Sequence, residues 1–191
     1  PAHTLTFSGQ SALAPELAAW LDGAAVSETT LPLLETDLDR PVTIWQVDTA
    51  VARDALATQF TPPATPSFIG ENEALELLGY QIVTQEAGDT AVFTLWRVHQ
   101  PLGEPDAVLF TQQIGQNGLP ISQEDRLDVP SDQWQTGDWF VQLHHLPAPP
   151  APREPSTPFI VGLYRCNDAL CQQAERYPTS QGDTLPLSPA P

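Results

Sequence analysis

The run from Leu75 to Leu187 constrains this chain more than any other feature: LELLGYQI, GDTAVFTLWRV, AVLFTQQIGQNGLPISQEDR, QWQTGDWFVQLHHLP and TPFIVGLYRC follow one another in order. Each segment is short, alternates apolar with polar side chains and is bounded by Gly, Pro, Asn or Asp, as antiparallel strands with one face on a core are. In DTAVFTLW, Ala91, Phe93 and Leu95 alternate with Val92, Thr94 and Trp96, and Gly88-Asp89 supplies the preceding turn. Asn117-Gly118 is the strongest hairpin signal and predicts a two-residue type I′ turn. DWFVQLHHLP and TPFIVGLYR give two more strands, joined by PAPPAPREPST as an exposed extended connection; the SPAP tail is expected to fray. The spacing predicts an antiparallel β-sandwich over residues 65–191, jelly-roll-like in its order.

The prolines of TPPATPS, residues 61–67, forbid a continuing helix or central strand. They set a boundary between this domain and a small module over residues 1–64, so the fold class read from the sequence is α+β. The module reads as strand-helix-strand-helix. HTLTFS is a strand, and a helix follows over Ala14 to Leu21 with Leu13, Leu17, Trp20 and Leu21 on one face. PVTIWQV is a second strand, apolar enough for both faces to be covered, and a crossover would make it parallel to the first. Asp48 or Thr49 then caps a helix to Phe60 with Val51, Ala52, Ala55, Leu56 and Phe60 as its buried stripe. The turn SGQSALAP has the single glycine Gly9, so a dinucleotide fingerprint or phosphate loop is absent.

Charge narrows the partners. The chain has 24 acidic residues against 7 basic ones and a formal net charge of −17. All the basic residues are Arg. Such a surface repels a phosphate backbone, so nucleic acid is not an expected partner, and it repels anionic lipid headgroups too. The apolar stretches fall short of the ~20 residues of a membrane helix, and no signal peptide is visible. The chain begins at Pro1 without an initiator Met, as a piece of a longer protein would.

Few residues could carry chemistry. Cys166 and Cys171 flank a four-residue loop after a strand; they predict a disulfide and an oxidising compartment, with two free thiols as the other reading. Zinc would need a second ligand pair. His144 and His145 are adjacent on a strand, point to opposite faces and cannot share a metal. Glu124, Asp125 and Asp128, with Asp132 nearby, are candidates for calcium, against a solvated acidic loop that lacks the EF-hand pattern. Trp134, in the polar loop SDQWQTGD, is the candidate platform for a sugar ring, with Asp132, Gln133 and Gln135 as hydrogen-bond partners; the other reading tucks it into the core. No nucleophile elbow or activated cysteine is present, and no cofactor is expected.

The order of these residues resembles a known family. Leu77 to Tyr80, Gly88 to Thr90 with Trp96 and Arg97, Phe110 with Gly118 and Asp125, Trp134 with Gly137, and Gly162 to Tyr164 occur in sequence. Together they resemble the extracytoplasmic C-terminal tail domain of bacterial membrane glycosyltransferases of the protein-mannosyltransferase-like superfamily, which use a lipid-linked sugar donor. The match covers about two thirds of the chain, one domain's worth. Gln112-Gln113 departs from the His-Leu pair common in that family, and the cysteine pair is an addition. The resemblance implies a noncatalytic accessory domain that positions donor or acceptor, or scaffolds the enzyme. It implies extracytoplasmic tethering through a segment outside this chain, the membrane part of the same polypeptide and a glycan or lipid-linked sugar as partners, and catalytic residues elsewhere. The alternative is an independent carbohydrate-binding or protein-binding sandwich.

Overall fold

The computed structural model describes residues 2–8, 15–31, 42–85, 88–103, 107–149, 158–168 and 171–188. Gly9, Leu13, most of the Pro-rich connection and the last three residues lie outside them. The chain divides into two units, Pro1–Gln59 and Phe60–Pro191. The division falls a little before the expected one, because Thr61 and Tyr80 already exchange backbone hydrogen bonds of 2.9 and 3.0 Å.

The first unit contains β1 (Ala2–Ser8), α1 (Pro15–Ala24), β2 (Ala25–Leu31), β3 (Val42–Asp48) and α2 (Thr49–Ala57). Its sheet has the order β1-β3-β2 with both pairings antiparallel. The strand expected to run parallel to β1 is therefore antiparallel to it. The unforeseen β2 is the strand that α1 returns parallel to β1, with β3 between them as in a split βαβ unit. Trp45 and Val47 are buried while Gln46 is exposed, so β3 has one covered face and not two. The Asp48 carboxylate accepts from the N–H groups of Ala50 and Val51 and caps α2. The expected stripe of α2 shrinks to Ala52: Val51 is exposed and Phe60 lies past the helix end. The Trp20 indole donates to the Ala52 carbonyl at 3.0 Å and ties the helices together.

The second unit contains β4 (Ser67–Ile69), β5 (Leu75–Thr84), β6 (Thr90–Val98), β7 (Ala107–Ile114), β8 (Pro120–Asp125), β9 (Trp139–Leu146), β10 (Phe159–Cys166), β11 (Ala174–Arg176) and β12 (Leu185–Leu187). One antiparallel sheet has the order β4-β5-β6-β9; the other has β8-β7-β10-β11, with β12 also beside β10. The buried set drawn from both includes Leu77, Val92, Trp96, Leu109, Phe140, Val161 and Leu163 and forms one core. The order departs from a jelly roll. Tight turns at Gly88 and Gly118 fold β6 back on β5 and β8 back on β7, so successive strands are hydrogen-bonded neighbours.

The β7–β8 turn also corrects the type I′ expectation. Gly118 N–H donates to Gly115 C=O, Gly115 N–H donates to Leu119 C=O, and only Gly118 of the central residues has positive φ, at +75°. This is a three-residue loop with a left-handed glycine, accompanied by a register shift at Gln113/Ile114.

Exposed strand edges invite pairing with other chains, and both seams between the sheets are closed here. On one side, Ser122 Oγ donates to Pro147 C=O and the Glu124 carboxylate accepts from His145 N–H, so β8 side chains cover the β9 edge. On the other, Gly70 N–H donates to Pro178 C=O and Ser180 N–H to Phe68 C=O, which ties β4 to the chain beyond β11.

Phe110 is buried on the outer face of its sheet, over Gly162, with the Arg176 guanidinium 5.1 Å above its ring. A Cβ on Gly162 would lie 2.2 Å from Phe110 Cζ. Gly162→Ala is expected to destabilise the chain by about 1–3 kcal/mol in urea denaturation, and part of that loss should return when Phe110→Leu is added. An unchanged midpoint in Gly162→Ala would show that the ring does not rest on the glycine.

Candidate functional site

The inward face of β9 is not wholly apolar. Between Phe140 and Leu146 it carries Gln142 and His144, both fully buried. A buried polar side chain is costly unless bonded, and each of these has partners. His144 Nε2 faces two carbonyl oxygens, Leu109 O and Arg126 O, each at 3.2 Å. Carbonyls only accept, so Nε2 carries the proton, and Nδ1 of the neutral ring accepts from Thr111 Oγ1 at 3.0 Å. The imidazole thus links β9 of one sheet to β7 of the other and to the chain leaving β8. Gln142 Oε1 accepts from Asp128 N–H at 2.9 Å, and Gln142 Nε2 donates to the Asp128 carboxylate at 3.1 Å. The two residues fix the backbone of Arg126 and Asp128 from beneath.

Arg126 is part of one wall of a groove of about 810 Å³, and Asp128 lies just behind it in the chain. The start of β7 (Ala107, Val108), the end of β8 with its following loop (Asp125, Arg126, Leu127, Pro130) and the loop after β10 (Cys166, Asn167, Asp168, Cys171) line it. The described residues of the β10 loop are tied twice. Cys166 and Cys171 form a disulfide with Cα atoms 4.7 Å apart, and the Asp168 carboxylate accepts from Gln172 N–H and Gln173 N–H. Asp125 accepts from Gln123 Nε2 and, at 3.2 Å, from Tyr164 O–H. Burial, then the Asp125 charge, raises the Tyr164 pKa. Arg126 donates from Nε to Asp128 Oδ1, and that bond raises the arginine's already high pKa.

Trp134 is corrected as a sugar platform. Its ring is 3% exposed, its indole donates to Val129 C=O at 3.0 Å, and it stacks on Phe140 at 5.3 Å. A large aromatic with its N–H satisfied gains most from burial. Asp132, Gln133 and Gln135 are exposed around it and have no open ring face to serve. Trp45, Trp96 and Tyr80 are buried as well, and Trp139 is half-buried.

Glu124, Asp125 and Asp128 do not converge on a calcium position: they bond to His145 N–H, to Gln123 with Tyr164, and to Arg126 with Gln142, respectively. No group of three or more His, Cys, Asp or Glu able to hold a metal ion occurs among the described residues. His144 is buried and His145 exposed, on opposite faces of β9. No local motif marks the groove in the sequence, because its residues come from three distant segments. The alternation of Gln142 and His144 with Phe140 and Leu146 was the available signal for the polar anchor.

No helix among the described residues is long and apolar enough to cross a membrane. No family model, curated protein or solved structure matches the chain.

Burial lowers the pKa of His144, against weaker opposing effects of its backbone bonds and of Glu124 and Asp125. The folded chain therefore holds the ring neutral, while the unfolded chain takes up the proton at the ordinary value of about 6.5. Stability is complete above that pH and falls as pH drops below it and on through the lowered folded value. Urea midpoints between pH 8 and pH 5 should decline in this sense. In His144→Gln, whose amide can still donate and accept, the decline from about pH 6.5 should flatten; an undiminished decline would assign it to other groups.

Proposed function

We propose that this chain is a noncatalytic, extracytoplasmic accessory module of a membrane glycosyltransferase, and that it contacts donor or acceptor through the groove beside the Cys166–Cys171 loop. The groove carries the reading: two loops from different strands, each fixed by buried or covalent ties, bring carboxylate, guanidinium and amide groups to one concavity. Preorganised polar groups on an apolar wall are what binding sites need. The disulfide supports an oxidising compartment.

The second unit reads as a β-sandwich of immunoglobulin-type order, with β5, β6 and β9 in one sheet and β8, β7, β10 and β11 in the other. In variable domains of that type, one cluster of strand-connecting loops carries binding, and the present groove lies among the corresponding loops. The residues that carry the family resemblance fall on framework: Leu77 and Trp96 in the core, Gly118 in a turn, Gly162 under Phe110. On this reading they are framework, and recognition is left to the loops. An independent binding sandwich keeps the same groove without the membrane enzyme.

The test separates contact from catalysis. In the full-length parent protein, Leu127→Ala combined with Asn167→Ala should lower sugar transfer by about tenfold, while Val129→Ala, which trims the same edge of the core outside the groove lining, should lower it by less than about twofold. The isolated chain should turn over no lipid-linked sugar. Undiminished transfer by the double variant would remove the groove from the account, and turnover by the isolated chain would overturn the noncatalytic reading.

A further inference from the structure

The lining of the groove also bears on what enters it. Its wall is apolar along Val108, Leu127, Pro130 and the disulfide, and carboxylates stand at Asp125 and Asp168. A long cationic side chain has the matching profile, an aliphatic stem that covers apolar surface and a charged head that seeks an acceptor. Resting on the reading of this groove as the contact site, we propose that it takes a lysine or arginine side chain from an extended segment of a partner polypeptide.

Three observations carry this. Asp125 is held in place, since Gln123 Nε2 and Tyr164 O–H both donate to it. A carboxylate has about four acceptor positions, so an incoming ammonium or guanidinium still finds lone pairs there. Second, the groove's own cation is engaged elsewhere. Arg126 pairs with Asp128, and Gln142 bonds to that same carboxylate from the core, which draws the guanidinium away from Asp125. Third, a chain of net charge −17 attracts cations over distance and repels phosphate and uronate ligands. A polypeptide fits better than a lone amine because about 810 Å³ exceeds what one side chain fills.

The experiment uses the whole chain and a fluorescein-labelled peptide of alternating serine and lysine, read by anisotropy at fixed ionic strength. Its acetyl-lysine counterpart keeps the stem and loses the charge. Asp125→Asn, which still accepts from Gln123 and Tyr164, should weaken binding about tenfold, and Arg126→Gln, which removes a positive charge from the groove lining, should tighten it about threefold. Asp183→Asn, in a turn outside the groove, should change it less than about twofold. Equal losses for Asp125→Asn and Asp183→Asn, or undiminished binding of the acetylated peptide, would overturn the proposal.

Amide spectra with the peptide and with a neutral oligosaccharide keep the two readings apart. Shifts at Leu127 and Asn167 from the oligosaccharide alone would sink the cationic ligand and leave the groove as the contact site. Shifts from neither would sink both.

Discussion

The second unit depends on a polar seam inside its core. Trp96 Nε1 donates to Thr94 Oγ1, Thr94 donates to Gln142 C=O, and His144 reaches Thr111 and two backbone carbonyls across the gap between the sheets. Hydrophobic burial is nondirectional and would let two greasy faces slide. Directional bonds in a medium where unpaired groups are costly select one register. Leu109 C=O receives both the His144 ring and Arg126 N–H, so the same atoms that align the sheets fix the chain as it leaves β8.

The proposed contact site lies where that seam ends. Arg126 and Asp128 sit at the surface but are bonded from the interior, so the groove wall is an extension of the core and not a free loop. The facing wall is held by the disulfide and by the Asp168 carboxylate. A cleft with both walls fixed loses little conformational entropy on binding. Side-chain ties along the β9 edge and backbone ties along β4 cover the two seams between the sheets among the described residues.

The sequence made some of this legible and hid the rest for physical reasons. Of the long strands, β9 alternates most clearly because one face lies on the core, while β6 and β7 are buried along most of their length and were legible from their apolar runs and the Gly turns beside them. β2 was not: Ala25–Leu31 is exposed almost throughout, so no inward set marks it. β11 and β12 are too short to carry a period. The Asn117-Gly118 turn was found, but its form depended on Gly115, which closes a wider loop. The cysteine pair was readable from its position at a strand end, and the inward position of His144 from its place on β9. Trp134 looked available because its neighbours are polar, yet Val129 offers a carbonyl that lets the indole sink into the core. The groove is assembled from positions near 108, 126 and 167, and only the fold brings them together.

Amide hydrogen exchange tests most directly whether the groove wall is anchored from the core. Arg126 N–H and Asp128 N–H belong to a segment that sequence reads as a loop, yet they donate to Leu109 C=O and Gln142 Oε1. Both should exchange as slowly as the central residues of β7, and Gln142→Leu should release Asp128 while β7 stays protected. Exchange of these two amides at the rate of the Gln116–Asn117 hairpin tip in the unmodified chain would contradict that anchoring.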